Sequence, residues 1–446
     1  MHTNVQEANY SVGKGPVSVA IEDLNKDGYL DIVTANYKSN SVSVLFGNSI
    51  GTFSPAPHSP YSVGTHSWSV SIADLNGDSY LDIVIANKGD NSVSVLLGNS
   101  AGTFAQAPDS PYSVGVEPRS VAIADLNKDG YLDIVTANYE SNSVSILLGC
   151  SGVAFSQSKN SPYSVGTNPY SVVIGDLNKD GYLDIVTANY GAHSISALLG
   201  NSVGTFSQAP NSPYSVGVQP HSIAIPDLNK DGYLDIVVVN SGSNSISVLL
   251  GNSAGTFSQA PNSPYTTGEN PVSVAIADLN KDNNLDIVIA NHGAHSVSVL
   301  LGNSAGTFFL SSNFPYSAAT YPTSVKIADL NKDGNLDIVT ANWGVDSVSI
   351  LFGTIDGPFS QSMSKFIAQE IRLAIKEHKR DQVEKNILCP LFIAGSLVIG
   401  AKLWPTLFKG ATIGVLFGTA ACIGHNYDDI TDYVAKLIGD SKPEDL

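Results

Sequence analysis

The stretch DLNKDGYLDIV, Asp176 to Val186, places aspartates at its first, fifth and ninth residues, asparagine at its third and glycine at its sixth, directly before an apolar run. Three carboxylates so close together repel one another, and the loop needs a compensating charge. The same loop begins at Asp23, Asp74, Asp125, Asp176, Asp227, Asp278 and Asp329, always 51 residues apart. Seven copies without an insertion therefore run from the start of the chain to about Ser360.

Within one copy, HSIAIPDL reads as a first strand, YLDIVVVN as a second and NSISVLLGN as a third with strict alternation. The fourth element, GTFSQAPNSPYTTG, is broken by prolines and suits an outer edge. Four short strands with turn signals between them describe a propeller blade, and seven blades close into a ring. ANYSVG at Ala8 to Gly13 matches the SPYSVG that ends later copies, while the seventh copy stops at GPFSQS. The N-terminal strand is therefore expected to complete the last blade. Solenoid stacking is the alternative. The fold class is all-β, a seven-bladed β-propeller of 51-residue repeats over residues 1–361, followed by a small α-helical segment of membrane type.

The chain has 446 residues, and its 22 basic and 40 acidic residues give a formal charge of −18, which argues against a nucleic-acid partner. Its three cysteines, Cys150, Cys389 and Cys422, form neither a disulfide framework nor a zinc motif. The N-terminal stretch MHTNVQEANYSVG lacks the basic and apolar regions of a secretory signal.

The loop offers oxygen ligands only. Side-chain oxygens at positions one, three, five and nine come from Asp23, Asn25, Asp27 and Asp31, then Asp74, Asn76, Asp78 and Asp82, and Asp125, Asn127, Asp129 and Asp133. The remaining copies supply Asp176, Asn178, Asp180 and Asp184, then Asp227, Asn229, Asp231 and Asp235. The last two supply Asp278, Asn280, Asp282 and Asp286, and Asp329, Asn331, Asp333 and Asp337. The position-seven backbone carbonyl belongs to Tyr29, Tyr80, Tyr131, Tyr182, Tyr233, Asn284 or Asn335. Such a set suits calcium, which takes six to eight oxygens with loose geometry. An EF-hand would need glutamate at position twelve and helical flanks, whereas Thr34, Ile85 and Thr136 stand there and the flanks are strands.

The expected cofactor is thus structural Ca2+, up to seven ions. Three aspartates in each of seven loops account for 21 of the 40 acidic residues, and seven calcium ions would bring the charge from −18 to −4. Glycine at position six permits a positive φ. Copies two and six carry Ser79 and Asn283 there, and because serine tolerates that conformation less well than asparagine, the Asp74 site is expected to be the weakest.

DLNKDGYLD and DLNGDSYLD, followed by VSVLFGNSIGTF and its counterparts, resemble the FG-GAP (VCBS-type) repeats of integrin α-subunit propellers and many microbial surface proteins. The resemblance covers about four-fifths of the chain. It implies a seven-bladed propeller with calcium loops on one face and adhesion or ligand binding on the other. Related blades also occur in some lectins and polysaccharide lyases. The literal Phe-Gly survives only at Phe46-Gly47 and Phe352-Gly353, with Leu-Gly in the other copies that keep the motif.

Comparison of the copies with one another isolates two variable windows. One precedes the first strand (GTHSWS, GVEPRS, GTNPYS, GVQPHS, GENPVS) and the other follows the second (NYKSNS, NKGDNS, NYESNS, NYGAHS, NHGAHS, NWGVDS). In an antiparallel blade both lie at the end opposite the aspartate loops. That face collects the ligand candidates Tyr37, His66, Trp68, Arg119, Tyr139, Tyr170, Tyr190, His221, His292, Tyr321 and Trp343. Aromatic rings with a few polar partners suit protein hot spots or sugar faces, although exposed loops also vary without function. His193 and His295 hold equivalent places in copies four and six, which are not neighbours, so they do not suggest a shared metal. No GxSxG, HExxH or phosphate-cradling loop occurs, and the chain reads as a binding or adhesion module for a protein or glycan, not an enzyme. The alternative is a carbohydrate-active, lyase- or lectin-like propeller.

After Ser360 the composition changes. Residues 362–386 place Ile367, Ile371, Ala374 and Ile375 on one helical stripe, and residues 387–424 are apolar except for Lys402 and Lys409. Two segments near the ~20-residue spanning length, with Gly410, Gly414 and Gly418 spaced for close helix approach, suggest a transmembrane hairpin turning at Trp404-Pro405. A single span and a helical pair within a soluble domain are the other readings. Residues 425–446 form a short amphipathic polar tail. Arg372, Lys376, Lys379, Arg380 and Lys385 would put the propeller inside by the positive-inside rule. Open calcium loops favour the outside. The expected location is the membrane, with the propeller on the extracellular or surface side.

Overall fold

A computed structural model describes residues 8–311 and 315–353. These belong to one of the two compact units into which the chain divides, Glu7–Ser360. The expected helix (362–386), hairpin (387–424) and tail (425–446) lie outside the described residues. Among the described residues there is no helix, and hence none long and apolar enough to cross a membrane.

The described residues form seven separate antiparallel sheets, one per copy. In the first blade the strands are Pro16–Glu22, Asp31–Asn36, Ser41–Phe46 and Ser54–Pro55, in that spatial order. The proline-broken fourth element is two short pieces, because Tyr61–Ser62 also pairs with the third strand, Tyr61 opposite Val42. The last blade takes its outer strand from the other end of the chain: Ala8–Ser11 pairs with Ser347–Leu351, Ala8 opposite Ile350. The N-terminal strand therefore closes the ring, as its similarity to the ends of the later copies suggests.

Each second strand is buried along its whole length, because both faces of a blade are covered by neighbours. The core lies between blades. Val33, Val42 and Val44 of blade one pack with Val70, Ile83 and Ile85 of blade two, and an equivalent cluster fills every joint, including Val339 and Val348 against Val19 and Ile32 where the ring closes.

A second set of contacts spans the same joints at one rim. The backbone N–H groups of His66, Glu117, Asn168, Gln219, Asn270 and Tyr321 donate to Asn40, Asn91, Asn142, His193, Asn244 and His295 of the preceding blade. Gly15 N–H donates to Asp346 Oδ1 at 2.8 Å across the closure. His193 and His295 thus do structural work: each replaces asparagine as acceptor through Nδ1, which requires the neutral Nε2–H tautomer.

Inside each blade, a fully buried asparagine at the end of the second strand crosses to the third. Asn36 Nδ2 donates to Ser41 and Ser43, and its Oδ1 accepts from Thr34. Where Ile85, Val238 and Ile289 replace that threonine, the oxygens of Asn87, Asn240 and Asn291 have no hydrogen-bond partner. The glycine ending the third strand has no room for a side chain, since a Cβ on Gly98 would lie 2.2 Å from the Leu81 carbonyl oxygen. Gly98→Ala is expected to lower stability by about 1–3 kcal/mol through overpacking, measured as a shift in denaturation midpoint against wild type.

Candidate functional site

The aspartate loops lie at one end of the blades, between first and second strands that pair as Glu22 opposite Asp31. Their position-nine aspartate is fully buried and uses both oxygens. Asp31 Oδ2 accepts from Leu24 N–H at 2.8 Å and Oδ1 from Gly47 N–H at 2.9 Å. The same pair of bonds recurs in the other six blades. This carboxylate ties the loop to the end of the third strand, a role its position in the sequence pattern did not disclose.

The remaining donors brace the turn. Gly28 N–H donates to Asp23 Oδ2, Asp27 N–H to Asn25 Oδ1 and Tyr29 N–H to Asp27 Oδ1. Asp23 Oδ1, Asp176 Oδ1 and Asp227 Oδ1 are buried without a hydrogen-bond partner. Burial, with the position-five and position-one aspartates adding to it, pushes Asp31 up to about 7 and Asp337 up to about 8. A buried, partnerless carboxylate oxygen beside two further carboxylates fits a hard cation.

Among the described residues no three His, Cys, Asp or Glu side chains converge as a ligand set. The loop's full set adds an asparagine oxygen and a backbone carbonyl to its three aspartates, whose oxygens already accept N–H groups of the turn. A carboxylate oxygen also has two lone pairs, so position nine could serve an N–H and a cation together.

Backbone strain revises the ranking of the loops. Position four is left-handed as well as position six: Lys26 has φ 58° and Gly28 φ 88°. Copy two exchanges the two roles, with Gly77 at φ 71° and Ser79 at φ 73°, so it carries one non-glycine in that region, like most copies. Copy six carries two, Lys281 and Asn283. The serine alone is thus no reason to rank the Asp74 loop below the rest.

At the opposite end, Pro16 pairs with Asn36, so the residues before the first strand and after the second share a rim. Two equivalent positions dominate it. The bulged residue of the first strand is Val17, Trp68, Arg119, Tyr170, His221, Val272 or Thr323, and the residue after the second strand is Tyr37, Lys88, Tyr139, Tyr190, Ser241, His292 or Trp343. Nine of the eleven candidates join into one set. Tyr37 contacts Trp343, His66 and Trp68, with centroids 5.4, 4.4 and 5.3 Å away. Tyr170 contacts Trp68, Tyr139, Tyr190 and His221 at 6.0, 6.0, 5.7 and 3.8 Å.

The Arg119 guanidinium lies 3.6 Å from the Tyr139 centroid and 5.0 and 4.8 Å from those of Trp68 and Tyr170. His292 and Tyr321, 4.9 Å apart, form a separate group with His295, whose ring lies 4.4 Å from that of Tyr321. The sequence reading missed the cations that lie over the rings, Lys88 over Trp68 at 5.5 Å and Lys38 over Trp343 at 4.3 Å. Lys88 was legible as the one lysine at a position otherwise held mostly by rings.

Glu117 bridges Lys88 and Arg119 at 3.4 and 3.1 Å. Burial raises the Tyr170 hydroxyl well above the usual tyrosine range, with Arg119 partly opposing it. Burial also lowers His221 to about 3, so this ring is neutral.

A family model described as FG-GAP-like repeat matches residues 23–85, 74–136, 125–187, 176–238, 227–289 and 278–340. No curated protein matches significantly. Among solved structures, BBS1N in complex with ARL6DN is similar at 13% identity and TM-score 0.51, over 78% of this chain and 95% of that one. A candidate 6-phosphogluconolactonase from Bacteroides fragilis NCTC 9343 is similar at 14% identity and TM-score 0.55, over 70% and 87%. A protein from Lactobacillus plantarum is similar at 14% identity and TM-score 0.52, over 77% and 94%. Similarity at this identity shows the fold alone.

Two outcomes follow from this geometry. Ser79→Gly should stabilise the protein by about 1 kcal/mol and Asn283→Gly by less, because asparagine tolerates the left-handed region better; chemical denaturation of each variant measures both. His221 stays neutral in the folded protein down to about 3 but protonates near 6.5 when unfolded. The unfolded chain therefore takes up the proton first, and stability is lost as pH falls through that window. His221→Phe should flatten the fall in melting temperature below pH ~6.5 relative to wild type.

Proposed function

The chain belongs to the FG-GAP-like repeat family, and from that premise we propose that it is a calcium-stabilised propeller that captures a protein or glycan ligand on the rim opposite its aspartate loops. The observation that carries this reading is the linked set of rings centred on Tyr170 and Tyr37, with cations lying over it. Large, rigid and partly buried aromatic surfaces with a few fixed charges supply binding energy at low entropic cost. Arg119, already stacked and paired with Glu117, would orient a ligand without first being ordered.

Calcium would be held in each loop by the side chains at positions one, three, five and nine and the carbonyl at position seven. The partnerless oxygens of Asp23, Asp176 and Asp227 favour this reading. When bound, the ion supplies charge compensation for carboxylates that burial makes costly to ionise. The loops' own residues brace the turn and connect it to the third strand, so the role is structural. The apolar stretch 387–424 would tether the propeller to a membrane, with the propeller on the outer side, as open calcium loops favour against the count of flanking basic residues. A carbohydrate-active propeller, the rival reading, has no specific observation in its favour.

Two measurements test the proposal. Chelation of calcium should lower the melting temperature, and an unchanged midpoint with and without chelator would remove calcium from the reading. Capture on a glycan array or on cell surfaces should fall at least tenfold for Trp68→Ala and Arg119→Ala, the loss of about 1.4 kcal/mol or more expected of hot-spot residues. Capture that survives both changes would place the ligand on another surface.

A further inference from the structure

The lysine at position four of the loops has no part in the proposed metal chemistry, yet it reaches across to the next blade. Lys26 Nζ lies 4.6 Å from the ring centroid of Tyr80, Lys128 Nζ 4.5 Å from that of Tyr182, and Lys179 Nζ 4.7 Å from that of Tyr233. Lys332 Nζ closes the circle at 4.4 Å from Tyr29. Where copy seven has asparagine in place of the tyrosine, Lys281 Nζ donates to Asn335 Oδ1 at 3.2 Å. Each contact runs from position four of one loop to position seven of the next.

The glycines at position six record the same seams. A Cβ on Gly28 or Gly181 would lie 3.5 or 3.6 Å from the preceding loop's ammonium, from Lys332 and Lys128 respectively. A Cβ on Gly130 would meet nothing within 4 Å, because copy two has Gly77 in place of the lysine. Tyr131 accordingly has no lysine over its ring among the described residues and is 41% exposed. The second gap falls between Lys230 and Asn284, which, among the described residues, form no bond like that of Lys281 to Asn335. Two missing seams cut the circle into two arcs, the loops of copies six, seven, one and two, and those of copies three, four and five.

We propose that these lysines are positioning residues which couple neighbouring cation sites, so that calcium loads in two cooperative groups, one of four sites and one of three. The inference rests on the calcium reading of the loops. Its physical basis is that each seam joins donor-bearing backbone. Position seven supplies a carbonyl ligand, and position four lies between the side-chain ligands at three and five. A cation that orders one loop fixes the tyrosine ring, the ring fixes the neighbour's lysine, and the neighbour's donors then cost less entropy to arrange. Repulsion between ions in adjacent loops opposes the coupling but is screened beyond about 8 Å at physiological ionic strength. An exposed cation–π pair corresponds to about a two- to fivefold change in neighbouring affinity per seam.

The test is a calcium titration of the full chain by calorimetry, with native mass spectrometry to count bound ions. Wild type should reach seven ions with a Hill slope above one, and species with three, four and seven ions should exceed a random distribution. The double variant Lys128→Met, Lys179→Met should lose cooperativity in the three-site group alone. Lys128→Arg, Lys179→Arg should restore it, since guanidinium also stacks on tyrosine. Gly77→Lys should join the arcs and steepen the isotherm; it adds a lysine already tolerated at this left-handed position in the other six loops. Failure to bind calcium at all would overturn the calcium reading itself. Seven independent sites, unchanged in the methionine variant, would overturn the coupling and leave that reading intact.

Discussion

The interaction on which the rest of this structure depends is the buried aspartate at the ninth position of each loop. Its two oxygens accept from the N–H of the leucine that opens the loop and from the N–H of the glycine that ends the third strand. A fully buried carboxylate is costly unless it is hydrogen-bonded, and here both oxygens are engaged. One side chain therefore fixes the turn, holds the second strand against the third, and requires a glycine where a Cβ would meet a leucine carbonyl. It also places a charge that burial opposes beside two further carboxylates, which is why the loops act as cation sites in our reading.

The blades are stabilised between, more than within, themselves. Each apolar cluster draws on two copies, and each joint adds a backbone donor to an asparagine, histidine or aspartate acceptor. A single blade could not bury its second strand on both faces, so each blade depends on its two neighbours in the ring. The closing joint uses the same devices as the other six, with Asp346 as acceptor and the strand Ala8–Ser11 completing the final sheet.

The two ends of the disc carry different kinds of information. At the loop end nearly every residue is repeated, because each has a geometric task, and differences such as Gly77, Ser79, Asn283 and Asn284 interrupt a periodic pattern. At the other end the bulged position of the first strand tolerates valine, tryptophan, arginine, tyrosine, histidine and threonine. A bulge leaves its residue outside the ladder, free of a set partner, and so open to variation. Such positions, together with those that follow the second strands, bring Trp68, Tyr170 and Tyr37 into one linked set of rings that a single blade could not present.

The sequence by itself determined the repeat, the blade count, the strand order, the N-terminal closure and the oxygen-rich chemistry of the loops. All of these follow from local spacing, which a 51-residue period makes visible. It also separated the varied rim from the constant one, since antiparallel strands put alternate connections at opposite ends. The folded structure decided the rest, because the decisive contacts join residues that are not neighbours in the sequence, most of them on different copies. Sequence spacing could not show that Tyr170 contacts Trp68 and His221, that His193 replaces an asparagine as a joint acceptor, or that Lys332 meets Tyr29 at the far end of the repeat array. The aspartate at position nine looked like one more ligand in the sequence. Only its burial and its two N–H partners show that it is the tie between loop and sheet.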